Sequence, residues 1–87
     1  MDTLYRIYTE DKNLDGIINL LTKVYDGYTI IHSQGYWKGL PEESIIIEII
    51  TYAVDLPTIQ GIANQIKQLN SQESVLVTSQ PVYSELI

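Results

Sequence analysis

Between Ser44 and Tyr52 the chain reads Ser-Ile-Ile-Ile-Glu-Ile-Ile-Thr-Tyr, and this run limits what the rest can be. Successive side chains of a strand point to opposite faces. Ile45, Ile47 and Ile49 therefore share one face, Ile46 and Ile50 share the other, and Glu48 is the single charge. A strand that is apolar on both sides belongs in the middle of a sheet whose two faces are covered. A chain of 87 residues holds material for one cover. The second cover is expected to be another copy of the protein.

The remaining pattern says what the first cover is. Thr3 to Thr9 favours extended structure through Tyr5, Arg6, Ile7 and Tyr8. Leu14, Ile17, Ile18, Leu21, Val24 and Tyr25 recur at helical spacing, with Asp11 or Asn13 as cap and Gly27 as the left-handed stop. Tyr28 to Trp37 reads as a second strand, in which Gly35 marks a bulge or a close backbone approach. A loop over residues 38–43 leads into the isoleucine strand, which ends near Ala53. Asp55-Leu56-Pro57 opens a second helix carrying Ile59, Ile62, Ala63, Ile66 and Leu69 on one stripe, ending at Asn70-Ser71. Ser74 to Ser79 is a fourth strand, stopped by Pro81, and Val82 to Ile87 is a tail apolar enough to pack on a neighbour.

Strand, helix, strand, strand, helix, strand is the order of the ferredoxin-like α+β fold. It predicts one domain over residues 1–87 with two helices on one face of a four-stranded antiparallel sheet. Crossover handedness favours strand order 4-1-3-2, which puts the isoleucine strand at the centre. The open face then exposes isoleucines and tyrosines unless a homodimer or higher oligomer covers it.

Composition narrows the partners. Eleven acidic against five basic residues leave a net charge of −6, and the five cations are scattered, which argues against nucleic acid. There is no cysteine, hence no disulfide and no thiolate metal site. One histidine with carboxylates makes a poor zinc site, and no metal or cofactor is expected. No apolar stretch approaches a membrane span and no leader pattern opens the chain, so a cytoplasmic protein without membrane contact is expected.

No nucleophile elbow, phosphate-cradling glycine loop or histidine–carboxylate metal motif occurs, so the chain is expected not to be an enzyme, and no residue is assigned as catalytic. The densest candidate segment is Ser33-Gln34-Gly35-Tyr36-Trp37-Lys38-Gly39, with two aromatics and a cation at a hairpin tip. Aromatic walls stack on a nucleobase and Lys38 meets a phosphate. The plainer reading folds Trp37 back over the sheet edge. Glu48 either needs Arg6 or His32 as a partner, in the same chain or a second one, or merely interrupts an aggregation-prone strand. The candidate ligand-binding set is Arg6, His32, Tyr36, Trp37, Lys38 and Glu48.

The Gly35-Tyr36-Trp37-Lys38-Gly39 turn and the segment Gln72-Glu73-Ser74-Val75-Leu76 resemble a family of small bacterial and phage domains of unknown function. That family carries a Gly-x-Trp-x-Gly turn and a Gln-Glu-Ser-Val-Leu segment before its last strand. The resemblance spans roughly residues 4 to 83 and implies a ferredoxin-like fold without an assigned activity. Small size and acidity also resemble phage-encoded inhibitors of host defence. The leading expectation is thus a non-catalytic oligomer that sequesters a small nucleotide-derived signal at a subunit interface, in the host cytoplasm if phage-borne. Two alternatives stand beside it: an acidic inhibitor of a host protein, and a cofactor-independent dimeric α+β barrel enzyme with His32 as base.

Overall fold

The computed structural model of the protein describes residues 2–87. Its elements are β1 (Asp2–Glu10), α1 (Leu14–Thr22), β2 (Thr29–Trp37), β3 (Leu40–Thr51), a 3-10 turn (Ala53–Asp55), α2 (Leu56–Asn70) and β4 (Leu76–Val82). The strands form one antiparallel sheet in the order β2-β3-β1-β4, the expected order read from the other edge. This is the ferredoxin-like α+β arrangement.

Strand parity decides the core. Ile45, Ile47 and Ile49 of β3 and Tyr5 and Ile7 of β1 are buried, and they pack with Ile17 and Leu21 of α1 and the α2 stripe Ile59, Ile62, Ala63 and Ile66. The Tyr5 hydroxyl is not stranded there, since it lies 3.1 and 3.0 Å from the carbonyl oxygens of Tyr52 and Ala53. Register aligns Ile47 with Ile7 on one side and Ile30 on the other, so the apolar rows of three strands stack under the helices.

Several local expectations need correction. α1 ends at Thr22, not at Gly27: the amides of Val24 and Tyr25 both reach the Leu21 carbonyl, which tightens the last turn while keeping Tyr25 in helical phase. Asn13 does not cap α1 with its side chain. It adopts φ 54°, and its amide donates instead to Leu69 O and Asn70 Oδ1, tying the start of α1 to the end of α2. Residues 40–43 are strand, because Lys38 and Gly39 both take positive φ (51° and 79°) and close a two-residue hairpin turn. Gly35 causes no bulge. It pairs in register with Glu42, and a Cβ there would sit 3.2 Å from Ser44 Oγ, so close approach is its reason.

β4 begins at Leu76 rather than Ser74 and runs through Pro81 to Val82. It is an edge strand, and an edge tolerates the missing N–H of proline. α2 ends as expected near Asn70, by a Schellman closure: Ser71 sits at φ 52°, its amide on Gln68 O and the Gln72 amide on Lys67 O. No helix among the described residues is long and apolar enough to cross a membrane.

Candidate functional site

The β2–β3 hairpin is longer than the sheet it belongs to. β1 pairs with β3 only as far as Ser44, whereas β2 and β3 continue together to Trp37 and Leu40. Between this free arm and the Ser71–Ser74 connection lies a half-open cleft of about 760 Å³. Tyr8, Ile46 and Leu76 give its apolar floor, Gly35, Tyr36 and Trp37 one wall, and Gln72 and Glu73 the opposite wall. A volume of this size falls in the range of small-molecule sites.

Two devices shape the walls. At the rim, the Lys38 ammonium lies 3.5 Å from Glu73 Oε2 and 5.8 Å from the centre of the Trp37 ring, linking the hairpin tip to the opposite connection. Behind the other wall, Gln72 is held at both ends of its amide. Its Oε1 accepts from Thr9 Oγ1 and from Asn70 Nδ2, and its Nε2 donates to Ser74 O at 3.3 Å. Asn70 is itself buried and takes the Asn13 amide at 3.0 Å. Three element ends (of β1, of α2 and at the start of α1) thereby hold the Ser71–Ser74 connection in one geometry.

The lining is acidic. Glu10, Glu42 and Glu73 contribute carboxylates against the single ammonium of Lys12, which pairs with Glu10 at 3.5 Å. Glu42 has no ion-pair partner among the described residues. Gly35 leaves room beside it, because an added Cβ would meet Glu42 Oε1 at 3.6 Å.

The six residues singled out from sequence do not form one group. Tyr36 and Trp37 line the cleft and Lys38 bridges its rim. Arg6 and Glu48 face each other on the open side of the sheet, beyond the cleft floor, with Nε to Oε2 at 2.8 Å. Arg6 also donates to Gln80 Oε1 at 3.3 Å, and the hydrogen bond to Glu48 chiefly raises its already high pKa. Of the two partners open to Glu48, Arg6 is therefore the one it has. His32 lies elsewhere. It stands opposite Ile45 on the helix-covered side of β2, with Nδ1 3.3 Å from Asp11 Oδ2. Tyr8, Glu42 and Gln72 were not among the expected site residues. No cluster of three or more metal-ligating side chains occurs among the described residues.

No protein-family profile matches the chain, and no curated protein does. Solved structures do. A DUF3240 family protein from Shewanella baltica superposes with TM-score 0.82 at 14% identity, covering 99% of this chain and 94% of that one. A phage SAM lyase in complex with S-methyl-5'-thioadenosine gives 0.73 at 18% identity, over 91% and 80%. A nitrogen regulatory PII-like protein from Thiomonas intermedia, bound to ADP, AMP and bicarbonate, gives 0.70 at 16%, over 98% and 96%. At these identities the likeness is one of fold.

Proposed function

We propose that the protein is a non-catalytic binding protein whose cleft takes a nucleoside-type ligand, with the base stacked on Trp37 and the open side closed by a second copy. The observation that carries this reading is a cleft of about 760 Å³ with Trp37, Tyr36 and Tyr8 in its lining, its far wall immobilised through Gln72. Two of the fold neighbours are described with adenosine-bearing molecules, S-methyl-5'-thioadenosine in one and ADP and AMP in the other. That shared chemistry supports a nucleobase as the recognised part.

The lining charge refines the ligand. Three carboxylates and one ammonium repel a polyphosphate and favour a neutral or positively charged substituent on the nucleoside. Lys38, which sequence reasoning offered to a phosphate, already contacts Glu73. Binding without turnover is what sequestration of a nucleotide-derived signal requires, and a phage anti-defence role would be exercised in that form.

Calorimetric titration with adenosine, S-methyl-5'-thioadenosine, S-adenosylmethionine, AMP and ADP tests the reading. The uncharged and cationic nucleosides are expected to bind more tightly than AMP, and AMP more tightly than ADP. Trp37→Ala should weaken binding by roughly 10- to 100-fold, the usual worth of one base–aromatic stack. Silence across the panel overturns the nucleoside reading, and ADP as the tightest ligand overturns the charge argument. Conversion of any of these compounds, followed by chromatography, makes the protein an enzyme instead.

A further inference from the structure

Two apolar surfaces of this chain are without a cover, and they are complementary. One is the helix-free face of the sheet near the start of β1. There Ile50 of β3 is 53% exposed beside the buried Leu4, and farther along the same face Ile31, opposite Ile46, is 41% exposed. The other is the segment after β4. Tyr83 is 81% exposed, and Leu86 and Ile87 are wholly so. A pair of large aliphatic side chains in full contact with water is a cost that any docking partner of matching shape relieves.

We propose that residues 83–87 of one protomer dock on the open sheet face of a second copy, over the stretch from Ile50 to Ile31. The same contact is not made within one chain. Val82 pairs with Asp2, the first residue of β1, and Ser84 Oγ donates to the Asp2 carboxylate. Asp2 shares the open face with Leu4 and Arg6, so the segment starts beside that face, yet Tyr83, Leu86 and Ile87 stay exposed and do not cover it.

Charge favours the match as well. The segment carries one charge, Glu85, set between Tyr83 and Leu86. Among the described residues the centre of the receiving face carries one cation, Arg6, and Glu48 and Gln80 take two of the five N–H donors of its guanidinium. A carboxylate flanked by apolar side chains thus meets a guanidinium flanked by isoleucines. Three large side chains cover only a few hundred Å², below the roughly 800 Å² per partner of a standard interface, so the contact must bring sheet faces together too. Each protomer offers one segment and one face, so two copies exchange segments across a two-fold axis or several close head-to-tail into a ring. The cleft ligand plays no part in this argument.

Native mass spectrometry of the full chain tests it, beside the double variant Leu86→Asp/Ile87→Asp and the face variant Ile50→Asp. The unaltered protein is expected as an oligomer and each variant as a single chain of about 9.9 kDa with an unchanged circular-dichroism spectrum. The segment variant alters only side chains that touch nothing within the protomer, so its folding is safe. Mixing the two variants should restore a heterodimer, because the intact segment of one meets the intact face of the other. A monomeric parent protein, an oligomer indifferent to Leu86→Asp/Ile87→Asp, or two monomeric variants that fail to complement each other overturns the proposal.

Discussion

The two sides of β3 have nearly the same composition and opposite fates. Ile45, Ile47 and Ile49 are sealed under the helices with 0 to 1% exposure, whereas Ile46 is half-buried and Ile50 is 53% exposed. What separates them is one residue of phase, since a strand turns its faces every second position. The covered row is packed by eight other buried side chains of the same core. The open row carries the Arg6–Glu48 pair in its midst and, at its far end, the cleft floor of Tyr8, Ile46 and Leu76. One side of the strand makes the protomer fold, and the other is left for contacts the protomer does not make with itself.

The largest test of this contrast truncates the same residue type on each side. Ile47→Ala opens a cavity among Ile7, Ile30 and the helices and should cost about 2–5 kcal/mol in urea denaturation. Ile50→Ala removes atoms already half in water, and in a dilute sample it should cost a small fraction of that. Equal losses at the two positions would mean that the open face is as tightly packed within the protomer as the core.

Much of this was legible in the chain itself, because period-2 and period-3.6 patterns report directly on which side chains lose water. The isoleucine phase and the α2 stripe from Ile59 to Ile66 follow from that, although Leu69, expected on the same stripe, is exposed, and the strand order follows from crossover handedness. The site was less legible for a particular reason. A bulge expected at Gly35 would have broken strand phase, letting His32, Tyr36 and Trp37 be imagined on one surface. In the unbroken register from Thr29 to Trp37, His32 and Trp37 fall on opposite faces. Simple counting through β2 would have separated them. The Thr9–Asn70–Gln72 network was beyond reach, since it depends on where three element ends meet in space. Polar residues at such ends look in sequence like ordinary caps.

A smaller effect is expected from the charges on the open face. Glu48→Gln keeps the shape and removes the anion beside Arg6, 2.8 Å from its Nε. Because both side chains remain partly in water, the loss in urea midpoint should be slight, well below that of Ile47→Ala, and should shrink at high salt. A loss as large as the core truncation, or one indifferent to salt, would show that the pair is shielded from solvent, as it would be beneath a second copy.

The smallest effect probes the covered side through the phenol of Tyr25. Partial burial raises the Tyr25 pKa above 10.0, with the carboxylate of Asp55, 3.5 Å from its hydroxyl, adding to the shift. A raised acid keeps its proton longer in the folded state than in the unfolded one. Its contribution to stability is therefore whole below the ordinary phenol value and lost as pH climbs through the raised one. Phenolate absorbance of the parent protein minus that of Tyr25→Phe should give a titration centred above 10.0. The urea midpoint of Tyr25→Phe should in turn fall less steeply with pH across the same alkaline range. A difference titration centred at or below the ordinary value would place Tyr25 in open water, and the end of α1 would then lie farther from the 3-10 turn than the packing of the covered face requires.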